Sequence, residues 1–355
     1  MEEQKNSEMT QYLEIAVAKN ASDLHIVVGV PPTIRIDGRL IAIPETPVVT
    51  AERAMELIAS FVPAEILNIL KEKKEVDFSF GYKEMRFRVN LYYQKGCEAA
   101  SLRLIPKEIR GIDQLGLPPI VEKFTEHSQG FVIIAGPTGS GKSTTLAAMI
   151  DKINKEQRKH IVTIEDPIEY VFEHNKSIVS QREIGTDSDS FGKALRSALR
   201  EDPDVVLVGE MRDLETIEAA LTIAETGHLV LTTLHTNSAA QTADRIINVF
   251  PDHLRQQVAN QLASVLLGVV SQRLIPKVGG GRVMAAETMI VNSAVKTLIR
   301  EGKTYQIPNV IQTSASEGMI SLDKVLAEYV SRGDITLEDA LTWAQEPKSF
   351  KMMVY

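Results

Sequence analysis

Gly136-Pro137-Thr138-Gly139-Ser140-Gly141-Lys142-Ser143 fits the phosphate-binding pattern G-x-x-x-x-G-K-[ST] at every fixed position. Its flanks are what such a loop needs. Phe131-Val132-Ile133-Ile134-Ala135 ahead of it is a short continuous apolar run with β-branched members, the signature of a buried parallel strand, and Thr144 to Ile153 behind it reads as a helix. The glycines let backbone N–H groups turn inward around phosphate oxygens, and the helix N-terminus adds the positive end of its dipole. Lys142 is placed to reach the terminal phosphates and Ser143 to ligate Mg²⁺. The strand, loop and helix together predict a nucleoside triphosphate site lined by Pro137, Thr138, Gly139, Ser140, Gly141, Lys142, Ser143 and Thr144.

Length and composition bound the rest. At 355 residues the chain exceeds what one hydrophobic core usually supports, so two domains are expected. Hydrophobic residues make up 44% and charged residues 24%, a globular mixture. The formal net charge of -8 disfavours nucleic acid as the main partner, since a basic face would be required for one. A single cysteine, Cys97, excludes an intramolecular disulfide framework and any multi-cysteine zinc site. The polar start Met1-Glu2-Glu3-Gln4-Lys5-Asn6 lacks a signal-peptide core, and no apolar run approaches the roughly 20 residues that cross a bilayer. A cytoplasmic protein is expected, one that acts at a membrane only from its surface or through other proteins.

Residues 1–105 read as a small α+β domain. Tyr12 to Lys19, Ala51 to Val62 and Ala64 to Lys73 have helical spacing. Leu24 to Val28, Thr33 to Ile36, Arg39 to Ile43, Asp77 to Phe80, Arg86 to Tyr92 and Ala99 to Leu104 read as strands, with Asp37-Gly38 a tight hairpin turn. Residues 106–119, carrying Gly111, Gly116, Pro118 and Pro119, are expected to link this domain to a second at 120–355. There strands and helices alternate as a parallel sheet with crossover helices requires. Its core strands are expected at Val132 to Ala135, Ile161 to Ile164, Val205 to Val208 and Leu229 to Thr232. Helices are expected at Phe191 to Leu199 and Asp213 to Thr226.

Three further motifs carry chemistry. Ile161-Val162-Thr163-Ile164-Glu165-Asp166-Pro167 delivers two carboxylates at the C-terminal end of an apolar strand, the end at which open α/β sheets bind ligands. Val205-Val206-Leu207-Val208-Gly209-Glu210 ends a strand in one carboxylate, with Gly209 where P-loop enzymes usually place a metal-supporting Asp. Glu210 therefore reads as the water-orienting residue, and metal support falls to Ser143 with Glu165 and Asp166. Thr226-Gly227-His228 and Leu234-His235-Thr236-Asn237 bracket a fourth strand, and both imidazoles are expected near one sheet edge, where a histidine can sense the terminal phosphate.

In order and spacing these motifs resemble the secretion and type IV pilus ATPase superfamily. Glu165-Asp166-Pro167-Ile168-Glu169 matches its acidic box, Gly209-Glu210 its atypical strand end, and the histidines its histidine box. Ala21-Ser22-Asp23-Leu24-His25 and Arg86-Phe87-Arg88-Val89-Asn90 are similar to its PAS-like N-terminal domain. Within it, Ala294-Val295-Lys296-Thr297-Leu298-Ile299-Arg300-Glu301 is similar to the A-I-R-N-L-I-R-E helix of the pilus retraction (PilT) family, departing at Val295, Lys296 and Thr297. Lysine keeps the charge but loses the planar fork of arginine. The extra N-terminal domain and four-cysteine insertion general in the assembly and type II secretion relatives have no counterpart among these residues.

The resemblance implies a PAS-like domain followed by a RecA-like P-loop ATPase domain with a mostly parallel sheet. It implies a homo-hexamer that hydrolyses ATP with Mg²⁺ and drives pilus retraction and twitching motility. The alternative is an assembly or type II secretion motor of the same superfamily. The implied partner is an inner-membrane platform protein, with no direct nucleic acid, and the implied place is the inner face of the cytoplasmic membrane. The ATPase domain offers no obvious cationic finger for the transition state. By resemblance Arg88 and Arg103 supply it across a subunit boundary, completing a catalytic set with Glu210, Glu165, His235 and His228. A finger from a neighbour makes a head-to-tail contact, the kind that closes into a ring.

Overall fold

A computed structural model describes residues 8–36, 38–83, 85–105 and 108–354. The chain forms two compact units, one ending at Glu108 and the other beginning at Ile109. Asp37 of the expected hairpin turn, Pro106 and Lys107 of the expected linker, the first seven residues and Tyr355 lie outside the described residues.

The first unit runs α1 (Glu8–Ala18), β1 (Asp23–Ile26), β2 (Thr33–Ile36), β3 (Arg39–Ala42), α2 (Ala51–Ala59), α3 (Ala64–Lys73), β4 (Glu75–Tyr82), β5 (Met85–Gln94) and β6 (Cys97–Ile105). Its strands form a six-stranded antiparallel sheet in the order β3-β2-β1-β6-β5-β4. Alternation fixes its two faces. Leu24, Ile26, Ile34, Phe87, Val89, Leu91 and Leu102 are buried with Met9 and Leu13 of α1 and Leu57 and Ile58 of α2. Thr50 caps α2, its side chain accepting from Arg53 N at 3.2 Å. On the other face one cross-strand row reads Arg35, Asp23, Arg103, Arg88, Ser79 from β2 to β4, each directly opposite the next.

The second unit runs α4 (Pro119–Phe124), β7 (Gly130–Ala135), α5 (Lys142–Glu156), β8 (His160–Glu165), β9 (Ile178–Glu183), α6 (Phe191–Ala198), β10 (Val205–Val208), α7 (Leu214–Glu225), β11 (Leu229–Leu234), α8 (Ala239–Asn248), α9 (Asp252–Val265), β12 (Leu266–Pro276), β13 (Arg282–Ile290), α10 (Ser293–Arg300), α11 (Ile307–Thr313), α12 (Leu322–Arg332), α13 (Leu337–Trp343) and α14 (Pro347–Val354). The seven-stranded sheet has the order β13-β12-β7-β11-β10-β8-β9 and is parallel except for β13. The β7, β10 and β11 strands are buried along their whole length because helices cover both faces, which is why they read as unbroken apolar runs. Ile133, Ile164, Val206, Val208 and Val230 pack on one side with residues of α6 to α9. Val132, Ile134, Ile161, Val205, Leu207 and Leu231 pack on the other with α4 and α5. Ile112 and Leu117, within the segment expected to link the domains, are buried in this second layer beside Val121 and Phe124. Leu322, Leu326, Ala340 and Phe350 of the C-terminal helices cover the far ends of β12 and β13 at Ile275 and Ala285.

Candidate nucleotide site

The C-terminal ends of β7, β8, β10 and β11 face one way, and the loops beyond them carry the chemistry, as in other open parallel sheets. The phosphate loop leaves β7 at Ala135. Gly136, Gly139 and Gly141 take φ of 146°, 77° and 87°, the left-handed region that glycine tolerates. At Gly136 space forbids a side chain as well: a Cβ there would stand 2.5 Å from the Gln272 carbonyl oxygen. Lys142 Nζ donates to the carbonyl oxygens of Gly136 at 2.9 Å and Pro137 at 3.0 Å. Burial pushes the Lys142 ammonium below its ordinary value, against the pull of Glu210 and Glu169. The Ser140 hydroxyl is buried without a partner. An orphaned hydroxyl and a cation held only by loop carbonyls, at the N-terminus of a 15-residue helix, fit a phosphate. Thr144, expected among the ligand-contacting residues, shares a hydrogen bond with the Tyr170 hydroxyl at 2.9 Å, which ties the acidic-box segment to the first turn of α5.

Glu165 and Asp166 part company at the end of β8, one buried and one exposed. The Glu165 carboxylate accepts from Thr163 Oγ1 at 2.7 Å, Gln181 Nε2 at 3.3 Å and the backbone N of Glu169 at 3.3 Å. Burial nevertheless pushes it above the usual carboxylate range. A cation would relieve that burial, so the Glu165 carboxylate fits a divalent metal. Mg²⁺ would take one or two protein oxygens here and its remaining ligands from phosphates and water.

Gly209 explains the absent Asp. Its N donates to Ile164 O at 2.8 Å, and a Cβ would stand 3.3 Å from both Glu165 Cα and the Ile164 carbonyl oxygen. The two strand ends are pressed together, and the carboxylate at this depth comes from β8 rather than from β10.

Glu210 lies between two partners. Arg212 donates to its Oε2 at 2.8 Å, and His235 Nε2 is 3.4 Å from Oε1. Burial works to raise the Glu210 carboxyl, but Arg212, His235 and Lys142 outweigh it and hold it below the usual range. His235 is itself pushed down by burial and by the Lys142 charge, while Glu210 pulls the other way. Arg212 puts a cation beside this carboxylate, and no motif in the sequence marks it.

His228 requires a second correction. It precedes β11 while His235 follows it, and seven residue steps at about 3.3 Å each put the two residues ~23 Å apart, at opposite ends of the strand rather than at one edge. His228 Nδ1 shares hydrogen bonds with Ile223 O at 3.0 Å and Thr226 Oγ1 at 3.1 Å, closing the end of α7. It is a structural residue. In the first unit Arg103 Nε donates to Asp23 Oδ1 at 2.9 Å, so the two expected fingers, Arg88 and Arg103, stand side by side with one of them held by a carboxylate.

A glycine cradle with a buried lysine, an acid at the end of β8 and a carboxylate poised beyond β10 define a P-loop ATPase. Residues 3–281 match the Type II/IV secretion system protein family. The chain is 46% identical over 344 residues to the type IV pilus retraction ATPase PilT of Pseudomonas aeruginosa, covering 97% of this chain and all of that one. It is 47% identical over 322 residues to a twitching motility protein of Neisseria gonorrhoeae, covering 90% and 85%. Its fold matches the crystal structure of the pilus retraction motor PilT with bound ADP at a TM-score of 0.92 and 47% identity, covering 98% of this chain and all of that one. The chain belongs to the type II/IV secretion ATPase family.

Proposed function

We propose that this chain is an ATP-hydrolysing motor that drives type IV pilus retraction, and with it twitching motility, working as a homo-hexamer against a platform protein at the inner face of the cytoplasmic membrane. The observation that carries the enzymatic reading is the placement of Lys142, Glu165, Glu210 and His235 on one edge of one sheet. The retraction reading rests on the near full-length likeness to the two relatives named above. No helix among the described residues is long and apolar enough to cross a membrane, in keeping with attachment through a partner.

Phosphoryl transfer to water asks the protein for position and charge more than for covalent chemistry. Lys142 binds the terminal phosphates, and Ser140 and the loop N–H groups bind their oxygens. Ser143 and Glu165 would hold Mg²⁺, which neutralises charge on the phosphates. Glu210, kept ionised by Arg212, orients the attacking water, and His235 stands beside it toward the γ-phosphate. Arg88 and Arg103 of a neighbouring protomer complete the site. An arginine finger is worth roughly 10³ to 10⁵ in rate, about 4 to 7 kcal/mol, far above a surface ion pair. Release of those arginines after hydrolysis would convert chemistry into rigid-body motion of the first unit.

Steady-state phosphate release tests the enzymatic reading. Wild type should turn over ATP, and Glu210→Gln should bind nucleotide but release no phosphate above background. Loss of the gene should leave pili present but static; loss of pili altogether would favour an assembly motor instead.

A further inference from the structure

The two residues after Ser271 on β12 reach the nucleotide site from behind, and neither belongs to its phosphate-binding or acidic motifs. Ser271 pairs with Ala135, the last residue of β7, so Gln272 and Arg273 continue past the point where β7 turns into the phosphate loop. Both are buried. Gln272 Nε2 donates to Ser140 O at 2.8 Å, and its Oε1 accepts from Thr145 Oγ1 at 3.0 Å. One amide thus ties the middle of the loop to the first turn of α5. Arg273 serves a different element: it donates to Gln272 O at 2.9 Å and to Asn237 O and Oδ1 at 2.9 and 3.2 Å. Asn237 sits two residues beyond His235. The same loop is anchored again where the N of Ala239, the first residue of α8, donates to the buried Glu287 Oε1 at 2.7 Å. Gln345, beyond α13, donates to the other oxygen of Glu287 at 3.0 Å.

We propose that Gln272 and Arg273 are positioning residues with separate tasks: Gln272 sets the phosphate loop for nucleotide binding, and Arg273 sets the His235 loop for turnover. The assignment follows from what each side chain holds. The amide touches only groups that frame the phosphates, so its loss acts on ground state and transition state alike and weakens binding. The guanidinium clasps the strand exit that presents His235 to Glu210, so its loss misplaces a group needed in the transition state and lowers kcat. The inference rests on the ATPase reading of this site.

The experiment uses the full-length chain, with Kd measured from a fluorescent ATP analogue and kcat from phosphate release at saturating ATP. Gln272→Leu and the milder, near-isosteric Thr145→Val should raise Kd about ten-fold with kcat nearly unchanged. Arg273→Met should lower kcat about ten-fold or more with Kd and binding stoichiometry unchanged, and Arg273→Lys, which can still donate to one acceptor, should recover part of it. Adding Arg273→Met to His235→Ala should cost little beyond His235→Ala alone, since both remove the same contribution. Equal effects of the two substitutions on Kd and kcat, or full additivity of Arg273→Met with His235→Ala, would overturn the proposal. Failure of the wild type to bind or hydrolyse ATP would instead remove the reading beneath it.

Discussion

Arg212 holds Glu210 through a 2.8 Å hydrogen bond to Oε2, while His235 faces the other carboxylate oxygen at 3.4 Å. The acid proposed to orient water is therefore clamped between a guanidinium and an imidazole. Arg212 is largely exposed, and Asp166 adds a further acidic neighbour to it.

The pH profile follows from that clamp. Arg212 helps to hold the Glu210 carboxyl below its usual range, so activity in the wild type should persist until the pH falls below ordinary carboxylate values. In Arg212→Ala the burial of Glu210 acts with less opposition and its pKa rises. The acidic limb of kcat against pH should then move to higher pH, which a profile from pH 4 to 8 would record; an unmoved limb would dissociate Arg212 from Glu210.

Restoring the common P-loop acid should harm this enzyme. In Gly209→Asp the new Cβ must displace the backbone at Glu165, 3.3 Å away, and a second carboxylate is brought beside one that burial already disfavours. Phosphate release should fall at least ten-fold, by at least ~1.4 kcal/mol of transition-state stabilisation. An active Gly209→Asp enzyme would show that the pressed strand ends have room.

The two histidines should separate cleanly. His235→Ala should lower kcat by about 10² to 10³, the cost of one preorganised donor to developing charge. His228→Ala removes a cap at the far end of β11 and should leave kcat within about two-fold while lowering the melting temperature by a few degrees, about 1 kcal/mol of lost hydrogen bonding. Comparable losses of kcat in both variants would contradict the placement of His228.

Glu165→Gln should weaken the binding of the Mg²⁺ that supports turnover. The variant keeps the shape and the Thr163 contact but carries no charge, so the Mg²⁺ concentration for half-maximal rate should rise about ten-fold. An unchanged Mg²⁺ titration would remove Glu165 from the metal's surroundings.

Much of this was legible in the chain because the chemistry is local. The phosphate loop and the strands ending at Glu165 and Val208 announce themselves through unbroken apolar runs that stop at glycines or acids. β12 carries no such punctuation. It follows α9 directly, with Leu266 serving both as helix cap and first strand residue, so the apolar run from Val265 onward reads as a continuation of the helix. β9 is an edge strand, Ile178–Glu183, with few apolar residues to mark it. Arg212 and Gln272 have no sequence signal for their roles: the first matters through a side chain two residues away, the second through a loop 132 residues distant. The misplacement of His228 came from adjacency in the motif, where a six-residue strand separates what the sequence sets close together.

The most direct test of the whole account mixes two inactive variants, Lys142→Ala and Arg88→Ala. If the phosphate cradle of one protomer is completed by the arginines of its neighbour, a protomer with intact Lys142 beside one with intact Arg88 forms a working site. An equimolar mixture should then recover roughly a quarter of wild-type phosphate release, the share of head-to-tail junctions with both parts intact under random assembly. A mixture as dead as either variant alone would place both groups in one polypeptide and contradict the shared site.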